Sequence, residues 1–72
     1  MNRTILKLAP INQIVLEYEL FMIHIHYESK VLSYEFKSRD IAIETFEAIQ
    51  EQLNQNSAIG DKNEYLTIEN IL

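Results

Sequence analysis

Along the first half of the chain, hydrophobic and polar positions alternate; further on, they recur at helical spacing. Between Thr4 and Ala9, Leu6 and Leu8 alternate with Ile5 and Lys7, until Pro10 closes this first extended stretch. From Ile14 to Leu20 the alternation is clean. Ile14, Leu16, Tyr18 and Leu20 fall on one face, with Val15, Glu17 and Glu19 on the other, as in a half-buried strand. At Phe21 the phase slips, and Phe21, Ile23, Ile25 and Tyr27 carry the apolar series around Met22, His24 and His26. A regular strand cannot exchange its faces, so the slip predicts a β-bulge or a tight turn at Leu20–Phe21. The absence of Gly and Asn there favours the bulge.

A hairpin turning at Glu28–Ser29 pairs Ile25 with Leu32, Ile23 with Tyr34, and Phe21 with Phe36, which puts all six on one face. A four-residue loop keeps the same faces together and a three-residue loop does not, so the loop length stays open. Ser38 then reads as a helix N-cap, with Asp40 in the first turn where the helix dipole favours negative charge. Ala42, Phe46, Ile49 and Leu53 recur at helical spacing, and Ile43 widens their stripe. The helix is expected to fade by Asn54–Ser57 into a loop through Gly60–Asp61. Glu64–Leu72 alternates weakly, and reads as a final strand in preference to one helical turn capped by Thr67.

The predicted fold is α+β: a small antiparallel sheet of three or four strands, covered on one face by a single long helix, in the order β-β-β-α-(β). Its 72 residues form one domain, residues 1–72, without repeats or linkers. A domain of this size buries only roughly 60% of its unfolded surface. Val15, Met22 and Val31 lie on the outer sheet face, and a homodimer covering them is expected.

Composition removes several chemistries. Apolar residues are 47% of the chain and charged ones 24%, ordinary for a folded domain. With no Cys there is no disulfide, thiolate metal site or thiol nucleophile. With one Gly there is no glycine-rich phosphate loop. The longest charge-free stretches, Leu8–Leu16 and Gln52–Gly60, are nine residues each, too short to span a bilayer. Lys7 and Pro10 interrupt the first apolar run too early for a signal peptide, so a cytoplasmic protein without membrane association is expected. The six basic residues are dispersed against eleven acidic ones, for a net charge of −5. No concentrated positive footprint exists for direct nucleic-acid binding. The tyrosines read as amphipathic residues at the core's edge.

Two constellations stand out. His24 and His26 project from one strand face, about 6–7 Å apart along it. Glu35 lies diagonally across the hairpin from His24, and Ser33 lies directly opposite it. Glu17 and Glu19 join that face if their strand is a neighbour. The set could ligate a transition metal, which makes a metal-binding or metal-sensing protein one alternative. The preferred reading is two solvent-facing histidines with no metal or cofactor, since a site also needs a fixed third ligand and outer support. Ser33, His24 and Asp40 can be drawn as a triad, yet nothing supplies a nucleophile elbow or an oxyanion hole, and no enzyme is expected.

The second constellation is Asp40, Glu44, Glu47 and Glu51, which fall within about 60° of arc on the predicted helix. Neighbouring acids at this spacing repel, and no Lys or Arg answers them within the helix. The leading reading is a non-catalytic protein–protein interaction or regulatory module that docks a protein partner, possibly a basic one, through this face. A phage-type inhibitor mimicking nucleic acid is the other alternative.

Overall fold

A computed structural model describes residues 2–58 and 63–72. Strands β1 (Asn2–Lys7) and β2 (Ile11–Glu17) are followed by a 3₁₀ turn, Tyr18–Leu20. Then come β3 (Met22–Tyr27), β4 (Val31–Glu35), the helix α1 (Arg39–Ala58) and β5 (Tyr65–Ile71). The fold is α+β, as expected, with strands before the helix and one after it. The bulge read into residues 14–27 is a turn between two strands, so four strands precede α1. The five strands among the described residues divide into two antiparallel sheets, β2-β3-β4 and β1-β5.

The β3–β4 hairpin holds the register that the apolar pattern requires: Ile25 faces Leu32 and Ile23 faces Tyr34. Tyr27 N–H donates to the Lys30 carbonyl at 2.8 Å, which leaves Glu28–Ser29 as a two-residue loop. Phe36 N–H donates to the Phe21 carbonyl at 2.8 Å, extending the pairing past the strand ends. The bulge expected at Leu20–Phe21 is instead a turn. The 3₁₀ turn ends on Phe21 at φ 55° and ψ 40°, and β2 and β3 pair as an antiparallel hairpin around it. A left-handed residue with a Cβ costs about 1–2 kcal/mol. The half-buried Phe21 ring offsets that cost by packing against the core under the Arg39 guanidinium, 5.1 Å from its centroid. Because β2 stops at Glu17, Tyr18 and Leu20 leave the inward face assigned to them and stand 51% and 53% exposed. The irregularity in β2 lies instead between Ile11 and Gln13.

Ser38 caps α1, its Oγ accepting from Ile41 N–H at 3.3 Å. The helix runs to Ala58, further than the polar run Asn54–Ser57 suggested. Side chains one turn apart satisfy that tail: Gln52 Nε2 donates to Asn56 Oδ1 at 2.9 Å, and Gln55 Nε2 to Glu51 Oε1 at 3.3 Å. Asn56 Nδ2 ties this end to the Asn63 carbonyl at 2.8 Å. The loop expected through Gly60–Asp61 lies outside the described residues.

β5 is a strand, not a helical turn. It pairs along β1, with Leu66 opposite Leu6 and Ile68 opposite Thr4. Asn70, at φ 63°, sits where the register slips between Asn2 and Arg3. Beyond this bulge the chain turns toward β4. Lys37 N–H donates to the Asn70 carbonyl at 3.2 Å, Leu72 N–H donates to the Glu35 carbonyl at 2.8 Å, and Phe36 bridges Ile71. The sheets meet a second time at the other end, where the Tyr27 hydroxyl donates to the Lys7 carbonyl.

One core serves both sheets and the helix. Leu6, Leu8 and Ile68 come from the smaller sheet, Ile23, Ile25 and Phe36 from the hairpin side, and Ala42 and Ile49 from α1. Each is at most 3% exposed. Removing the Phe36 ring opens a cavity where all three layers meet. Phe36→Ala is expected to cost about 3–5 kcal/mol in urea unfolding, while Ile5→Ala, at a site 67% exposed, shifts stability by less than about 0.5 kcal/mol.

The Tyr27 junction gives a pH signature. Burial raises the Tyr27 phenol above its ordinary value of 10.0, and the neighbouring Tyr34 raises it further. The folded state therefore favours the neutral phenol. Its contribution is complete below the unfolded value and is lost as pH rises through the higher folded one. Ultraviolet titration is expected to show a late-ionising tyrosine that disappears in Tyr27→Phe, and Tyr27→Phe should also flatten the alkaline fall in stability.

Candidate functional site

Two surfaces concentrate polar chemistry, and they lie on different elements. The first is the outer face of the three-stranded sheet. There the register lays out three rows: Gln13–His26–Val31, Val15–His24–Ser33 and Glu17–Met22–Glu35. His24 is at the centre of this surface, half-buried, with both ring nitrogens engaged. Nδ1 lies 2.7 Å from Ser33 Oγ and Nε2 lies 2.6 Å from Glu17 Oε1. An ionised carboxylate only accepts, so Nε2 carries the proton in the neutral ring and Nδ1 accepts from the Ser33 hydroxyl.

This line of hydroxyl, imidazole and carboxylate differs from the triad drawn on the sequence. The acid is Glu17, whereas Asp40 lies on the exposed side of α1. Glu17 was in the expected set only as a metal ligand. What revealed its place was its diagonal position across the β2–β3 pair, which depends on a hairpin that the expected bulge concealed. Backbone amides of these strands lie in the sheet plane, not above the Ser33 hydroxyl, and Glu17 and Glu35 on the same face would repel a developing oxyanion.

The metal constellation is likewise spread out. His26 stands between Gln13 and Val31, and Glu35 is opposite Met22. Glu19, expected on the same face, belongs to the 3₁₀ turn and meets Arg39 at 3.9 Å. Among the described residues, no group of three or more His, Asp or Glu side chains converges to hold an ion. Val15 and Met22 are half-buried, while Val31 is 51% exposed.

The second surface is the acidic side of α1. Asp40, Glu44, Glu47 and Glu51 are all exposed along it. Glu51 accepts from Gln55. Among the described residues Arg39 pairs with Glu19 and His24 contacts Glu17, so Asp40, Glu44 and Glu47 have no cationic partner there. Arg39 is the nearest cation in sequence, and the turn holds it elsewhere. Its Nε donates to the Tyr18 carbonyl at 3.3 Å, and its guanidinium stacks 4.6 Å from the Tyr18 ring centroid.

Between this side of the helix and β5 runs an open groove of about 340 Å³, with Ile41 and Ala48 on the helix and Leu66 and Ile68 on the strand. Glu44 and Glu69 stand along it. Sequence reasoning missed this groove, since nothing local announces that the last strand lies beside α1. No family model, curated protein or solved structure matches the chain. No helix among the described residues is long and apolar enough to cross a membrane.

The two hydrogen bonds of His24 give the outer face a testable rigidity. Ser33→Ala or Glu17→Ala, each removing one partner of a half-buried ring, is expected to cost about 1 kcal/mol. In proton–nitrogen NMR correlations, the neutral ring should carry its proton on Nε2, a preference that weakens in Glu17→Ala.

Proposed function

We propose that the protein is a non-catalytic interaction module that docks a basic segment of another protein through the acidic side of α1. The observation that carries this reading is the unanswered charge of Asp40, Glu44 and Glu47 beside a cation, Arg39, held away from them by the turn. Stability alone would choose otherwise. Acids spaced three and four apart on a helix each cost a few tenths of a kcal/mol, and mixed charges would remove that cost. A partner bearing Lys or Arg gains from the same field, chiefly in encounter rate and specificity.

The test reverses two charges without touching the core. Glu44→Lys with Glu47→Lys relieves like-charge repulsion, so the melting temperature should hold or rise slightly. Affinity capture from the source cells should lose the partner seen with the wild-type chain, and wild-type capture should weaken as salt is added. Capture that is indifferent to both changes overturns the reading.

A further inference from the structure

The groove beside α1 has a strand edge along one wall. Leu8 N–H donates to the Glu64 carbonyl at 2.8 Å, which sets the phase of the β1–β5 ladder. Backbone groups of an antiparallel strand alternate between its two edges. Leu66 and Ile68 therefore turn their amides and carbonyls toward β1, while Tyr65, Thr67 and Glu69 turn theirs toward the opposite edge. Only after the bulge at Asn70 does this edge find a partner, at Glu35–Lys37. From Tyr65 to Glu69 it has no strand beside it among the described residues, and its neighbour across the groove is α1.

Open edges usually carry a guard: an inward lysine, a proline or an early bulge. β5 has neither Lys nor Pro, and its bulge comes at the end of the open stretch, not within it. The wall opposite is a rigid helix presenting Ile41, Ala48 and the carboxylate of Glu44. Glu69 also stands on this rim, with Arg3 as its cross-strand partner on β1.

We infer that this groove binds an extended, basic peptide segment of a partner protein, which adds as a strand to the free edge of β5 beneath α1. The inference rests on the interaction-module reading and gives it a site. Backbone hydrogen bonds to Tyr65, Thr67 and Glu69 supply affinity that is indifferent to sequence, and the alternate side chains supply selection. Small aliphatic residues meet Ile41, Ala48 and Leu66, while Lys or Arg side chains reach Glu44 and Glu69. At about 3.3 Å per residue, the stretch 65–69 accepts a core of about five residues. A second copy of this chain is a poor occupant: it has net charge −5 and would bring acids against acids.

The probe is a synthetic peptide alternating arginine and valine, compared with one alternating glutamate and valine. Titration followed by amide NMR is expected to shift resonances of β5 and of the Ile41–Ala48 side of α1, and to slow hydrogen exchange at Tyr65, Thr67 and Glu69. The glutamate peptide should bind at least tenfold more weakly. Thr67→Pro removes an edge amide that β1 does not use, and should weaken the arginine peptide at least tenfold. Where that variant loses its fold, methylating alternate amide nitrogens of the peptide makes the same test on the unaltered protein. Insensitivity to peptide methylation, or shifts confined to the outer face around His24, overturns the groove. Loss of capture in the Glu44, Glu47 reversal together with a methylation-insensitive peptide would retain the acidic face and remove strand addition. Capture unaffected by the reversal, with the peptide still bound in the groove through its amides, would retain the groove and remove the face.

Discussion

The fold turns on the joint at Phe36. Its ring is 1% exposed, its amide is spent on Phe21, and its bridge to Ile71 brings the last strand to the end of β4. A two-stranded sheet is marginal in water on its own. β1-β5 persists because Leu6, Leu8 and Ile68 enter the core that the hairpin and α1 also need. Phe36 is the residue that belongs to all of these at once. The Tyr27–Lys7 contact fastens the opposite end, so the smaller sheet is tied to the larger at two points.

That arrangement dictates where the chain is left unfinished. With β1 and β5 fastened to the hairpin side at both ends, β1 and the Tyr65–Glu69 stretch of β5 each keep one edge without a partner strand among the described residues. The Tyr27 hydroxyl covers the Lys7 carbonyl on the β1 edge, and Lys7 and Lys30 flank the cavity there. On the β5 edge nothing comparable intervenes before Asn70. The stretch Leu66–Glu69 of β5 and Glu44 of α1 therefore border the same groove as a consequence of topology, although they are distant in sequence.

Local features of the fold were legible in the sequence, and its long-range pairings were not. The hairpin register follows from Ile23 and Ile25 facing Tyr34 and Leu32, since a shift of one residue would expose the whole set. Ser38 and the Ala42–Leu53 stripe mark α1 because a cap and a helical period are both local signals. The turn at Tyr18–Phe21 ranked behind a bulge in the sequence because the left-handed position is filled by Phe, whose ring packing outweighs the preference for Gly or Asn. The β1–β5 pairing joins segments at opposite ends of the chain, and no local pattern specifies which strand meets which. The acidic side of α1 could be read directly from spacing, whereas its groove and the Glu17–His24–Ser33 line required the strand order.

The two polar surfaces also differ in what the fold has done with them. On the outer sheet face, charge and hydrogen-bonding capacity are used internally: His24 satisfies Glu17 and Ser33 at once, and such a network orders the three strands that carry it. On α1, Asp40, Glu44 and Glu47 have no cationic partner among the described residues, and Arg39 is committed to the turn by a hydrogen bond, an ion pair and two ring contacts. Exposed charges of one sign that the fold does not consume act at a distance, over roughly a Debye length of 8–10 Å at ordinary salt. An open strand edge acts only on contact, and without selectivity. In the docking mode proposed above they divide the task of recognition, the field selecting basic segments and the edge holding those that can extend.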